Sequence, residues 1–162
     1  MMQSQKGVGL MEILVALVLL GVAVLGFVGL QIRAIAASNE ATMNVQATNI
    51  ARDMAERMRV NRAGISNYTE NTDSTKCNEV ACSPKQMAEY DYREIKTNAA
   101  NLGMQFAVLN CQGFHDSRPR KCVYVAWGGT TATDGTVDTA CTNGTSYISN
   151  AKCIIMEVYN ND

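Results

Sequence analysis

Histidine is almost absent from this sequence: His115 is the only one, and none of the six cysteines stands in a CxxC pair. That removes the common zinc-ligand sets. There is no glycine-rich phosphate loop, and no serine or cysteine nucleophile lies within a histidine motif, so a convergent catalytic constellation is missing. Charge is scarce as well. A net charge of −1 and 18% charged residues exclude a bulk nucleic-acid footprint, and the apolar content excludes general disorder. Proline and glycine are both missing from Gln31 to Asn61, so nothing there interrupts a helix. At 162 residues the chain has room for one modest domain and an extended element, not for two large domains.

What is present begins with an apolar run, Ile13 to Leu30, fronted by a single acid, Glu12. An ionised carboxylate moved into hydrocarbon costs roughly 2.5 to 3.5 kcal/mol, so an acid at that position implies a partner. The run spans about 27 Å at 1.5 Å per residue, close to the hydrocarbon thickness of a bilayer, and a plain membrane anchor is physically sound. A cleaved secretory signal is the competing reading, since Ala34, Ala36 and Ala37 mimic a small-residue cleavage site. Against it stand a run longer than the usual ~7 to 15 residues, a single upstream lysine, and Glu12 itself.

The cysteines Cys77, Cys82, Cys111, Cys122, Cys141 and Cys153 all follow the apolar run. An even set in that position reads as an exported, oxidised domain rather than a metal site. Sequence does not choose among the possible pairings; the working expectation is sequential, Cys77 with Cys82, Cys111 with Cys122, and Cys141 with Cys153.

Past the apolar run, Met43, Ala47, Ile50, Met54 and Met58 recur at helical spacing, which predicts one continuing helix with a buried stripe of ordinary core. Arg52 with Glu56 and Asp53 with Arg57 fit i, i+4 pairing, and Gly64 is the expected stop. A helix from Val8 to Arg62 would be about 82 Å long. The polar stretch Gly64 to Ser83 reads as a surface loop. A second helix is signalled by Ser83 as N-cap, Pro84 in its first turn and Gln86 completing a capping box, with Ala88, Tyr92, Ile95, Ala99 and Leu102 as its buried face and Gly103 as its end. Strands are expected at Met104 to Asn110, Lys121 to Trp127 and Cys153 to Tyr159, with Tyr147-Ile148 as a fourth. Together these predict an α+β fold in which an antiparallel sheet packs on the long helix.

Residues outside that scheme have bland readings. His115 and Asp116 read as solvated loop residues. Arg118, Arg120 and Lys121 form the only basic cluster and read as a solvated turn, so no specific nucleic-acid partner is expected. Asn67-Tyr68-Thr69 and Asn143-Gly144-Thr145 match the glycosylation triplet but are treated as loops. Asp134 and Asp138 lack a calcium-loop pattern. No catalytic residue, metal or cofactor is expected.

Lys6-Gly7-Val8-Gly9-Leu10-Met11-Glu12, leading into the apolar run, resembles the class III processing signal of type IV prepilins. The segment Ile50-Ala51-Arg52-Asp53-Met54-Ala55-Glu56-Arg57-Met58-Arg59-Val60-Asn61 is similar to the end of the long helix in the PilV family of minor pilins. The resemblance implies cleavage after Gly7 by a prepilin peptidase and methylation of the new Val8 amine. It implies that Glu12 pairs with such an amine in the filament, which would satisfy two charges that are costly alone. It further implies a type IV pilin-like architecture with a disulfide-bonded head: a leader at 1–7, a long helix at 8–62 (8–30 in membrane or filament core, 31–62 packed on the head), and a head at 63–162. Departures from a major pilin, namely Val8-Gly9-Leu10-Met11, no proline in the helix, and glycines at 21, 26 and 29, point to a minor pilin. The implied partners are the prepilin peptidase, other minor pilins, the major pilin, a tip adhesin, and the inner membrane before assembly. A minor pseudopilin of type II secretion and a membrane-tethered periplasmic domain that never polymerises are the alternatives.

Overall fold

The structure, a computed structural model, describes residues 9–112 and 120–159. Gly7, Val8, His115, Asp116 and Arg118 therefore lie outside the described residues. The chain divides into two units, Met1–Thr42 and Met43–Asp162.

Helix α1 is Leu10–Val60. In the first unit it is helix alone, and every residue from Gly9 to Asn39 is exposed. In the second unit it buries Ala47, Ile50, Ala51, Met54, Ala55 and Met58. The three alanines lie at i, i+4, i+8, a narrow ridge that admits close packing, and the larger side chains lie beside it. Hydroxyls on α1 cost little, because Thr42 and Thr48 donate to the carbonyls of Ser38 and Asn44 at 2.9 and 2.8 Å.

α1 ends at Val60 rather than at Arg62, and Gly64 does not stop it. A 3₁₀ helix, Arg62–Asn67, follows at once. Gly64 serves a close approach instead: a Cβ there would meet the Pro84 carbonyl oxygen at 2.4 Å and Asn61 Nδ2 at 2.6 Å. The stretch from Gly64 to Ser83 is likewise not all surface loop, since Tyr68 is 0% exposed.

Helix α2, Pro84–Asn101, starts as its sequence dictates. Ser83 Oγ accepts from the Gln86 amide at 3.4 Å, and Gln86 Oε1 accepts from the Ser83 amide at 3.0 Å. Gly103, at φ +71°, ends the helix in the left-handed region that favours glycine. Ala88, Tyr92, Ile95 and Ala99 are buried as expected, while Leu102 is 43% exposed because the chain turns there. The polar residue Asp91 takes a place on the buried face.

Strands β1 (Met104–Asn110), β2 (Lys121–Trp127) and β6 (Cys153–Val158) form an antiparallel sheet in the order β1-β2-β6. Period-2 alternation sends Met104, Phe106, Val108, Val123, Val125, Trp127 and Val158 into one core with the α1 stripe and α2. There Tyr92 and Phe106 meet edge to face at 5.3 Å. Complete burial of a side chain such as Met54 contributes about 2 kcal/mol.

The central strand β2 is buried on both faces. Its second face, Cys122, Tyr124 and Ala126, packs with Ala132, Cys141 and Cys153. Covering it is a small sheet that the sequence reading did not foresee in full: β3 (Thr131–Asp134), β4 (Ala140–Asn143) and β5 (Ser146–Tyr147). Its β3–β4 pair runs parallel, a departure from the all-antiparallel expectation. The fold is α+β, with a long N-terminal helix, a small antiparallel sheet and a disulfide-bonded head.

Candidate assembly surface

The first unit presents large apolar side chains to solvent on all sides of the helix, among them Leu10 at 78%, Leu25 at 74% and Leu30 at 70% exposure. Monomeric soluble proteins do not leave so extended an apolar surface open, so this segment is made to be covered. By length and composition α1 can cross a membrane. Gly21, Gly26 and Gly29 meet nothing within 4 Å where a Cβ would stand. Each is an open notch of the kind that lets another helix backbone come close.

Glu12 stands in the first turn of α1, its amide donating to the Gly9 carbonyl at 2.9 Å. It is the one charge between Leu10 and Ile32. Its side chain makes no ion pair among the described residues, and its expected partner, Val8, lies outside them with Gly7.

The far end of α1 is fixed by a polar cluster within the second unit. Arg57 pairs with Asp53 at 2.9 Å, Asp91 at 2.8 Å and Glu94 at 2.7 Å. Tyr68 donates its hydroxyl to Asp91 at 3.2 Å and lies 3.2 Å from the Arg57 carbonyl oxygen. Asn61 donates to the Tyr68 oxygen at 3.3 Å and to the Pro84 carbonyl at 2.8 Å. Burial alone would lower the Arg57 guanidinium, but the hydrogen bonds to Asp53, Asp91 and Glu94 outweigh it and hold the group above its ordinary value. Burial pushes the Tyr68 phenol up, against a lowering hydrogen bond from Asn61, and the Asp91 charge adds to the rise. The foreseen Asp53–Arg57 pair is thus one limb of a larger clamp. Glu56 pairs with Arg59 rather than with Arg52. Asp91, Glu94 and Tyr68 were missed; an acid at i+3 from Ala88, on an otherwise apolar helix face, was the available signal for Asp91.

Disulfides join Cys77 to Cys82, Cys111 to Cys122, and Cys141 to Cys153. The last ties β4 to β6, and so the small sheet to the large one. Of the basic cluster, Arg120 is engaged by Glu157 at 2.9 Å and lies over the Tyr159 ring at 5.4 Å. Asp134 closes β3 and accepts from Thr142 and Gly144, so it belongs to the strand pair and not to a free turn. No group of three metal-ligating side chains occurs among the described residues. An open groove of about 410 Å³ is lined by Tyr124 and Ile155 of the main sheet and by Thr142 and Tyr147 of the small one.

No match was found among curated proteins or among solved structures. Residues 29–93 match the model of the Tt1218-like family, described as type IV pilin Tt1218. That stretch runs from the middle of α1 through the Arg57 clamp and into α2, and over it the chain is similar to a type IV pilin, which supports a pilin's structural role.

Proposed function

We propose that the protein is a minor pilin of the type IV pilus, similar to PilV, that joins a priming complex at the pilus tip and supports adhesion and twitching motility. The observation that carries this reading is the helix surface from Leu10 to Asn39, exposed throughout and apolar from Ile13 to Leu30, with Glu12 as the sole charge between Leu10 and Arg33. Before assembly the bilayer covers residues 8–30, and the head at 63–162 lies in the periplasm. Afterwards the helices of the major pilin and other minor pilins cover the same surface, with Gly21, Gly26 and Gly29 as points of close approach. The partners also include the prepilin peptidase and a tip adhesin.

Processing after Gly7, in this reading, removes the leader 1–7 and creates an ammonium on Val8. In sequence Glu12 stands four positions after Val8, the i, i+4 spacing at which groups would be neighbours if the helix extended that far. Pairing with the Val8 amine of an adjacent subunit satisfies both charges in the filament core, where either alone would be costly.

N-terminal sequencing of the protein from membranes tests the processing step: methylated Val8 is expected, and an intact Met1 or a cut near Ala37 would defeat it. Glu12→Ala should leave cleavage largely intact yet reduce recovery in sheared pili. Normal pilus incorporation and motility would overturn the charge pairing. Recovery of the chain with secretion pseudopilins instead of pili would assign it to type II secretion, and recovery with neither would make it a membrane-tethered domain.

A further inference from the structure

Asn143-Gly144 is the only Asn-Gly dipeptide in the sequence, and Asp134-Gly135 is the only Asp-Gly. Both belong to the chemistry that ages proteins. The backbone nitrogen of the glycine, once deprotonated, attacks the side-chain carbonyl carbon of the preceding residue and closes a five-membered succinimide. Asparagine expels ammonia, and aspartate expels water. Water then opens the ring at either carbonyl, leaving aspartate or isoaspartate. Glycine favours the step because no Cβ obstructs its nitrogen.

The small sheet brings these two dipeptides face to face. Asp134 on β3 is paired with Thr142 on β4. The Gly144 amide, the nitrogen that would attack Asn143, donates to Asp134 Oδ1 at 2.9 Å. The Gly135 amide, the nitrogen that would attack Asp134, donates to the Thr142 carbonyl at 2.9 Å. Thr142 Oγ1 holds the same Asp134 oxygen at 2.8 Å. Each attacking nitrogen is therefore occupied by the strand that carries the other dipeptide.

Turn geometry adds to this. Asn143 pairs with Ser146, so Gly144 and Thr145 form a two-residue hairpin loop. Gly144 has φ +65°, while Thr145 is not among the residues with positive φ, the signature of a type II′ turn. The Asn143 side chain itself is exposed. Restraint thus rests on the glycine nitrogen and the backbone, not on shielding of the amide.

We propose that Asn143-Gly144 and Asp134-Gly135 are modification sites held inactive by each other, with the Asp134 carboxylate as the group that keeps the Gly144 nitrogen protonated. An anion accepting that N–H opposes its ionisation, which is the step that succinimide closure needs. Loss of the restraint converts Asn143 to an acid beside Asp134, and the isoaspartyl product inserts a methylene into the backbone of the hairpin. Damage at this point opens the β3–β4 contact that prevented it.

The test is a time course of the full chain in detergent, disulfides intact, in mildly alkaline buffer, read by peptide mapping with isoaspartate detection. A synthetic peptide covering 139–149 supplies the unrestrained rate. Deamidation at Asn143 in the folded protein should be slower than in the peptide by about tenfold or more, and Asp134→Ala should recover most of that factor, as loss of a charge-assisted hydrogen bond predicts. Equal rates in folded protein and peptide would overturn the proposal, as would a folded Asp134→Ala variant that deamidates no faster than the parent. If Asp134→Ala does not fold, the ratio of folded parent to peptide decides alone.

Discussion

The guanidinium of Arg57 donates to the carboxylate of Asp91 at 2.8 Å and thereby joins the last turn of α1 to the middle of α2. Asp91 is 6% exposed, so the carboxylate end of this pair is shielded from water, while the Arg57 side chain is 29% exposed. Asp53, the partner on the same helix, has a side chain 47% exposed. Truncating Asp91 leaves Arg57 and the Tyr68 hydroxyl short of an acceptor; Asp91→Ala should cost about 3 kcal/mol, and Asp53→Ala less than about 1 kcal/mol. Urea unfolding of the two variants measures the difference. Equal losses would mean that Asp91 is not the main tie.

Tyr68 makes stability depend on alkali. Its phenol is raised above the ordinary value of 10.0, first by burial and then by Asp91. The folded state therefore holds the proton more tightly than the unfolded one, so the contribution is complete below about pH 10 and is lost as pH rises toward the folded value. Denaturant midpoints measured on both sides of pH 10 should fall on the alkaline side. Tyr68→Phe should flatten that fall, though not abolish it, since burial also raises Tyr92.

Gly64→Ala should destabilise by about 1 to 3 kcal/mol, the range for forced overpacking. The added Cβ would lie 2.4 Å from backbone of α2, which cannot rotate aside as a side chain does. Thermal unfolding reads this directly. An unchanged Tm would show that the contact between the 3₁₀ helix and α2 is slack.

Replacing Cys141 and Cys153 by serine together should cost about 2 to 4 kcal/mol. The bond ties the cover sheet to the main sheet, and Cys141 is 0% exposed. The same exchange at Cys77 and Cys82, which closes a shorter loop, should cost less. Calorimetry of the two double variants under identical conditions ranks them.

Sequence periodicity located α1's buried stripe, the start of α2 and the three long strands, because each rests on local spacing or a local capping reaction. Distant pairings were not legible. Arg57 and Asp91 are 34 positions apart, and no local pattern at either residue names the other. β3 and β4 are four residues each, rich in threonine, and owe their order to what they cover rather than to their own propensity. Gly64 was readable as a special position, but a stop and a close approach carry the same letter. For the assembly surface, the apolar run and Glu12 were evident at once, since an absence of charge needs no partner to be seen.

The three disulfides span 5, 11 and 12 positions in the order of the chain, and none encloses or crosses another. For a polypeptide emerging amino end first into an oxidising space, each cysteine that opens a bond is followed by its own mate as the next thiol to appear. Pairing by order of arrival yields the arrangement seen. Such a head can lock itself segment by segment during delivery, with little call for an isomerase to undo false bonds.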